Sequence, residues 1–308
     1  MRKATMIMGL CALLALATVS CKKHTESGSV SFKASFTNPT FGGKNYLDGV
    51  VLKWNNGDKI RVFVRNGNSA IFETSDEGES VATFRGTIEE CDRYVAFYPA
   101  RSCTPAEGGK VTMTLAANQT YKENGFANDF FPLAAVAENN QFNLKFRSPC
   151  NLFCLQLYSD DEITIRKIEL VDRFEGPGGI KHPLAGELVA TVEGFDPERP
   201  VFELPMDLRK TKLTLDCGDG VLLSTDSSNP TKFFFVVPNY PQNYIDEYRP
   251  WVQCQVFARG FDATIYTTDG KTATLGTDQD NHINNDDGTG QNVVLMMPVQ
   301  KVAPDDFN

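Results

Sequence analysis

The stretch "VVLKWNNGDKIRVFV", residues 50–64, decides the fold class of this chain. Two runs rich in β-branched and aromatic residues flank a polar segment, "NNGD" at 55–58. Its Asn-Gly pair supplies the positive φ of a tight turn at little cost. The pattern predicts a strand over 50–54, a turn, and a second strand over 59–64.

The same pattern recurs at intervals of about ten residues along the chain, which is typical of an all-β sandwich. In "SVSFKASF", residues 29–36, one face would carry Val30, Phe32, Ala34 and Phe36. No segment beyond the N-terminus has the period of a long amphipathic helix. The further predicted strands cover residues 70–75, 81–88, 94–100, 110–115, 131–138, 141–146, 151–159, 163–172, 184–192, 201–206, 212–217, 220–224, 232–238, 251–258, 263–268 and 292–298.

The most polar point between two apolar strands is "SDDE", residues 159–162, and it predicts a domain boundary. We therefore expect an N-terminal β-sandwich over 29–160 and a C-terminal one over 161–308. Backbone pairing across this point stays open, because no equal-period repeat indicates two copies of one domain.

The N-terminus has the layout of a secretory signal peptide over residues 1–20, with a basic start and an apolar segment too short to span a bilayer. "TVSC" at 18–21 resembles the lipobox of bacterial lipoproteins, although Thr18 stands where leucine is usual. This predicts lipidation of Cys21, a tether over 21–28 and an outer membrane lipoprotein. The alternative is a soluble exported protein cut near Ala17, with Cys21 an ordinary thiol.

Composition excludes some classes of partner. The chain has 308 residues and a formal charge of −9, and loss of Arg2 and Lys3 would leave 28 basic and 39 acidic residues, or −11. An acidic surface without a basic block argues against nucleic acid. Cys150 and Cys154 lie four apart in a predicted strand, about 13 Å in extended geometry, and are therefore predicted as small buried hydrophobes rather than a disulfide.

Several segments, taken in order, resemble the fimbrillin-like proteins. "WNNGDKIRVFV" at 54–64 resembles the W-x-x-G-D-x-I-x-V strand pair of that family, and "YVAFYPA" at 94–100 resembles its aromatic strand. "FNLKFRSPCNLFCLQL" at 142–157 is similar to the strands that close the family's first domain. Similarity to the second domain runs through "IRKIELVD", "PLAGELVATV", "KLTLDCGDGVLLS" and "PTKFFFVVP".

The resemblance implies two transthyretin-like β-sandwiches in tandem, exported as a lipoprotein subunit of type V pili. In polymerising members of the family, a protease cuts after Arg or Lys beyond the first strand, and a strand of the next subunit enters the vacated groove. Here the removable strand would carry Val30, Phe32, Ala34 and Phe36, and Lys44 in "GGKN" is the candidate cleavage site. The alternative is that "GGKN" is an ordinary loop.

The C-terminal tail reads as a poor donor strand, because Pro304 removes a ladder hydrogen bond and the end is acidic. We therefore expect a tip, accessory or anchor subunit rather than a major stalk subunit. Its expected partners are other pilus subunits, the outer membrane through the lipid on Cys21, and a glycan or protein of a host or bacterial surface.

No catalytic residues, metal site or cofactor are predicted, and we expect the chain not to be an enzyme. The three histidines, His24, His182 and His282, lack metal-ligand spacing, and nucleophile or phosphate-loop motifs are missing. "DQDNHINNDDGTG" at 278–290 offers oxygen ligands, but Ile283 stands where a calcium loop needs glycine, so an exposed turn-rich loop is the simpler interpretation.

An aromatic stretch at 233–251 leaves a second function open. Tyr240, Tyr244, Tyr248 and Trp251 lie in a Pro-punctuated segment, and planar rings in sandwich loops bind sugars or proteins at low entropy cost. The alternative function is therefore a monomeric surface lipoprotein that binds glycan or peptide through its loops.

Overall fold

A computed structural model describes residues 27–37, 40–41, 45–46, 52–123, 125–127, 131–139, 141–176, 179–198, 202–203, 209–238, 257, 260–276 and 293–308. These residues form strands and two single-turn 3₁₀ segments, Ala100–Ser102 and Pro304–Asp306. The all-β class predicted from the sequence is confirmed. Within the described ranges, no helix has the length and apolar character needed to cross a membrane.

The strands, in chain order, are β1 (Ser27–Phe36), β2 (Thr40–Phe41), β3 (Asn45–Tyr46), β4 (Lys59–Val64), β5 (Ser69–Thr74), β6 (Val81–Glu89), β7 (Arg93–Tyr98), β8 (Cys103–Ala106), β9 (Lys110–Leu115), β10 (Asn118–Lys122), β11 (Gly125–Phe126), β12 (Leu133–Glu138), β13 (Asn143–Phe146), β14 (Cys150–Tyr158), β15 (Thr164–Asp172), β16 (Glu175–Gly176), β17 (Ile180–Lys181), β18 (Gly186–Thr191), β19 (Lys212–Leu222), β20 (Thr231–Pro238), β21 (Phe261–Thr267), β22 (Thr272–Gly276) and β23 (Val293–Lys301).

The first large sheet has seven strands in the order β12-β7-β4-β5-β6-β1-β13. Its two edges meet, because Ala134 and Arg147 exchange backbone hydrogen bonds of 2.8 and 2.9 Å. The sheet therefore curls towards a barrel around an aromatic core. The outer side of β7 is also covered, since Phe97 lies 5.1 Å from Phe195, just beyond β18, and the small sheet β18-β9-β8 lies nearby.

Two further sheets pack face to face as a sandwich. One has the order β20-β14-β23-β2-β3 and the other β11-β10-β19-β15-β21-β22. The ring of Phe153 in β14 lies 4.9 Å from that of Phe261 in β21, which places the core between the two sheets. The side chain of Gln119 joins them at one side, donating to the Val236 carbonyl and accepting from the Val236 amide, each at 2.8 Å.

Backbone pairing runs across the predicted domain boundary at 160. Strand β14, which ends just before it, pairs with β20 and β23, while β9 pairs with β18 and β10 with β19. The division into 29–160 and 161–308 stays a prediction.

The predicted hairpin over 50–64 is half right. Its turn forms: Asp58 donates its backbone N–H to the Asn55 carbonyl at 3.0 Å, and Gly57 has φ of +85°. The strand predicted over 50–54 is wrong for its described part, since Leu52 and Lys53 are not in a strand and Trp54 makes only an isolated bridge to Glu79. Strand β4 instead pairs with β5 and β7, because both offer longer apolar partners.

The strands predicted separately at 212–217 and 220–224 are one strand, β19, so their separation was wrong. Asp216 of β19 pairs with Lys167 of β15, and the next paired residue of β19, Val221, pairs with Ile165. Residues 217–220 of β19 therefore form a bulge opposite a single residue of β15. Gly218 (φ +61°) and Gly220 (φ +123°) lie in this bulge. Glycine tolerates such φ values, so the residues that suggested a chain break allow the strand to continue.

Cys150 and Cys154 are fully buried free thiols, which confirms their prediction as small hydrophobes. Cys91, Cys103 and Cys217 are also free.

Candidate functional site

The candidate site is the channel that holds β1. This strand pairs antiparallel with β6 from Ser27 opposite Glu89 to Ser35 opposite Val81. On its other side it pairs in parallel with β13 over Lys33–Phe36, and the backbone N–H of Lys33 donates to the Phe142 carbonyl at 2.8 Å. The first strand therefore lies between two strands, paired with β6 along most of its length and with β13 over its second half.

The two faces of β1 differ in chemistry as the alternating sequence predicts. Val30, Phe32 and Ala34 are buried, and Phe36 is partly buried against the core. Ser29, Ser31 and Lys33, on the opposite face, are exposed. Loss of β1 would therefore remove one continuous apolar stripe from the core and leave the polar surface of the neighbouring strands in place.

The deepest side chain of the stripe is Phe32, which has no exposed surface. Its ring packs edge-on against Phe72 and Tyr94, with centroids 5.2 and 5.1 Å away, and lies 5.8 Å from Phe142. Phe142 is itself 41% exposed, so the pocket of Phe32 opens towards solvent on the β13 side. Such aromatic contacts give the pocket a definite shape.

Trp54 forms the second contact with β1. Its indole Nε1 donates to the backbone carbonyl of Ala34 at 3.0 Å, and its ring stacks on Phe36 with centroids 4.0 Å apart. Trp54 is fully buried, and Tyr98 and Phe146 pack edge-on against it at 5.3 and 5.5 Å. The sequence singled out Trp54 as part of a motif but gave no signal that it bonds the first strand.

A glycine makes room for the stripe. Gly86 of β6 lies opposite Val30, and a Cβ at Gly86 would lie 2.7 Å from Cγ of Phe72. The Phe72 ring therefore packs directly against the backbone of Gly86, where β5, β6 and β1 are adjacent.

After β1 the chain continues into the five-stranded sheet of the sandwich. Strand β2 pairs in parallel with the start of β23 and antiparallel with β3. Lys44 belongs to the short connection between β2 and β3 and lies outside the described residues. So do Cys21, the aromatic residues Tyr240, Tyr244, Tyr248 and Trp251, and the acidic loop 278–290.

A buried polar pair that the sequence did not predict lies between β15 and β17. Asp172 Oδ2 lies 2.9 Å from His182 Nδ1 and accepts the Phe257 amide at 3.0 Å, while the Phe174 amide donates to Oδ1 at 2.8 Å. Both side chains are almost completely buried, at 0% and 1% exposure. Their arrangement supports a role in fixing the chain turns around Asp172.

The free thiols and acidic groups do not form a reactive centre in the described residues. Burial raises the pKa of Cys154 to about 12, although Lys232 nearby lowers it slightly, and burial raises the pKa of Cys103 to about 12. Such thiols stay protonated and unreactive near neutral pH. No three His, Cys, Asp or Glu side chains gather as metal ligands within the same residues.

Several solved bacterial proteins are similar in structure to this chain. A "putative cell adhesion protein" from Bacteroides uniformis superposes with a TM-score of 0.50 at 12% identity, over 91% of this chain and 95% of that one. A fimbrial protein from Bacteroides vulgatus gives 0.38 at 11% identity, over 89% and 95% of the two chains. The tip fimbrial protein Mfa3 from Porphyromonas gingivalis, with a C-terminal truncation, gives 0.34 at 11% identity, over 82% and 81%.

No protein-family model and no curated protein matches the sequence significantly. At 12% identity, the likeness to the Bacteroides uniformis structure establishes a shared fold.

Proposed function

We propose that the chain is a fimbrillin-like pilus subunit that assembles by β-strand exchange and contributes to cell adhesion. It acts as a structural subunit rather than as an enzyme. The proposal depends on the position of β1 in its sheet. This N-terminal strand is hydrogen-bonded to β6 on one side and to β13 on the other, and its side chains Val30, Phe32 and Ala34 fill a channel in the core.

Removal of β1 would leave β6 and β13 as facing edges with unpaired backbone donors and acceptors. It would also uncover the aromatic pockets of Phe32 and Phe36. A strand from another subunit satisfies both requirements at once, because its backbone pairs with the two edges while alternate side chains fill the pockets.

Processing after Lys44 is the proposed trigger. The β2–β3 pairing places Phe41 and Asn45, the described residues on either side of Lys44 in the sequence, opposite each other. A cut there would separate β1 and β2 from the rest of the chain. The new N-terminus would be Asn45.

The C-terminal tail favours a tip, accessory or anchor position over a stalk position. Val302 is fully buried, and Asn308 exchanges backbone hydrogen bonds of 2.9 and 3.1 Å with Thr272 at the start of β22. Residues 302–308 are thus engaged in their own fold. A segment held in this way is a poor donor for a neighbouring groove.

Lipidation of Cys21 would hold the subunit at the outer membrane before assembly, or permanently in an anchor, because several acyl chains give durable attachment. Mass spectrometry of the N-terminus in native outer membranes separates these states. An acylated Cys21 on an intact chain supports an anchor, a tip or the alternative monomeric lipoprotein. A terminus at Asn45 supports an activated, polymerising subunit.

Strand exchange itself is tested with a purified chain in which residues 42–45 are replaced by a site-specific protease sequence. After cutting and mild urea treatment to release β1, a fluorescent peptide of residues 29–36 should bind the vacated channel. A matched peptide carrying Phe32→Ser and Phe36→Ser should not bind. Equal binding of the two peptides, or persistent folding of a chain that takes up neither, would contradict the proposal.

The alternative function predicts saturable glycan or peptide binding that falls when Tyr244 or Trp251 is changed to alanine. It also predicts that the intact chain never copurifies with other subunits. A flat response across a glycan panel counts against it.

A further inference from the structure

A second cavity, remote from β1, lies on the outer face of the six-stranded sheet. It has a volume of about 570 Å³ and is lined by residues of four adjacent strands, among them Asn118, Thr214, Arg166 and Tyr266. The opposite face of β15 carries the buried Ile168, so the cavity is on the solvent side of the sandwich. Its volume is within the usual range for small-ligand sites.

A bulge in β15 aims two cations into this cavity. Ile165 pairs with Thr267 of β21, and Lys167 pairs with the adjacent Tyr266, so Arg166 is the extra residue. Successive residues of a regular strand point to opposite faces, but here Ile165 and Ile168 are both buried, with Arg166 and Lys167 between them on the outer face. Bulges re-aim side chains in this way next to functional sites.

Lys167 is held in place by its neighbours. Its Nζ lies 2.9 Å from Glu169 Oε1 and 3.8 Å from the centroid of the Tyr266 ring. Glu169 Oε2 accepts from the Tyr266 hydroxyl at 3.1 Å and from Lys212 Nζ at 3.0 Å. The aromatic ring and the ammonium group are thus positioned before any ligand arrives, which lowers the entropic cost of binding.

Arg166 supplies the specificity for an anion. It is exposed and makes no ion pair within the described part of the chain. Its planar guanidinium can grip a carboxylate through two parallel hydrogen bonds, which a lysine cannot do. The charged side chains that line the cavity are Arg166, Lys167 and Asp216, two cations and one carboxylate.

The rest of the lining suits hydroxyl groups. Asp216 Oδ1 accepts the Gly218 amide at 2.9 Å, which fixes that carboxylate as a hydrogen-bond acceptor at the cavity wall. Thr214 and Asn118 each offer a donor and an acceptor. A carboxylate grip and hydroxyl partners match one ligand class, a sugar that carries a carboxylate.

We propose that this cavity binds an acidic sugar residue, a uronic or sialic acid, with Arg166 on its carboxylate and Asp216 on its hydroxyls. The site would give the subunit a glycan partner through the sheet face rather than through loops. The proposal goes beyond strand exchange and does not rest on it, because β1 and β15 belong to different sheets.

Titration calorimetry on the full mature chain tests the site with glucuronic acid and N-acetylneuraminic acid, against glucose as the neutral control. We expect one of the acids to bind and glucose to bind at least about tenfold more weakly, as expected for loss of a charged hydrogen-bonded pair. Arg166→Gln should weaken the acid by about tenfold or more, while Arg85→Gln, an exposed arginine on the other sheet, should leave it unchanged.

Three outcomes overturn the proposal. One is equal binding of acetate or inorganic phosphate, which would indicate a generic anion site, and another is binding of an acidic peptide but of no sugar. The third is unchanged affinity in Arg166→Gln at an unchanged unfolding midpoint. The peptide-uptake assay of the proposed function, run on Arg166→Gln, should be unaffected, so failure of one proposal is distinguishable from failure of the other.

Discussion

Replacement of Phe32 by alanine measures how much of the fold depends on the first strand. Removing a buried phenylalanine side chain costs about 3–5 kcal/mol, from lost transfer energy and from the cavity left behind. Phe32 has no exposed surface and packs against three aromatic rings, but Phe142 leaves one side of its pocket partly open. The neighbouring rings can therefore relax inwards, and we expect a loss of about 3 kcal/mol in the free energy of unfolding.

Urea unfolding followed by tryptophan fluorescence provides the assay. The chain has two tryptophans, so a Trp251→Phe background leaves Trp54, which bonds β1 directly, as the reporter. Ser31→Ala, on the exposed face of the same strand, is the matched control and should change stability by less than about 0.5 kcal/mol.

The slope of the free energy against urea should be the same in both variants, because the same surface is exposed on unfolding. A loss below about 1 kcal/mol in Phe32→Ala would refute the reasoning. It would mean that β1 is not an integral part of the core. Removal of β1 would then not expose an apolar groove that needs a replacement strand.

Three further predictions concern other parts of the molecule. Gly86→Ala should destabilise the chain by about 1–3 kcal/mol in the same urea assay, since its Cβ would meet the Phe72 ring; a neutral result would mean that the ring moves away freely. In native protein at pH 8, iodoacetamide should alkylate the partly exposed Cys91 but not the buried Cys154. Mass spectrometry of the digested protein measures alkylation at both cysteines. Burial alone would raise the pKa of Glu169, but hydrogen bonds from two lysines and a tyrosine outweigh burial and lower the pKa below 4.5. The ionised carboxylate therefore stabilises the fold above pH 4.5, and this contribution is lost as the pH falls through the lowered pKa. Glu169→Gln should accordingly cost up to about 1 kcal/mol at pH 7 and progressively less as the pH falls below 4.5; an equal cost across this range would mean that ionisation of Glu169 does not stabilise the fold.

Alternation of apolar and polar residues predicted individual strands well. Strands β1, β5, β6 and β9 lie within a residue or two of the predicted ranges, because each has one core-facing side. The apolar stripe of the candidate site, Phe32 included, was likewise readable from the sequence.

Other strands carried no such signal. Strand β10, "NQTYK", is polar throughout, and it is held by parallel pairing with β19 and by the bonds from Gln119 to Val236, which lies 117 positions further along the chain. Strand β8 contains Pro105 and survives at the edge of its sheet, where the missing donor is not needed.

Pairing partners lie beyond any local pattern. Nothing in "SVSFKASF" indicates that it lies between β6 and β13, since that depends on contacts from distant parts of the chain. The cavity on the outer sheet face has the same origin: Arg166 and Lys167 read as ordinary alternating residues until the bulge opposite β21 brings both to one face.

The position of β23 sets a condition on the order in which this protein can fold. The strand lies inside its sheet, paired in parallel with β14 on one side and β2 on the other. Neither neighbour can complete its pairing before β23 is in place. Such long-range parallel pairing is intrinsically slow, so a chain in which β23 has not yet docked exposes the apolar edges of β14 and β2, and we expect this sheet to close late in folding.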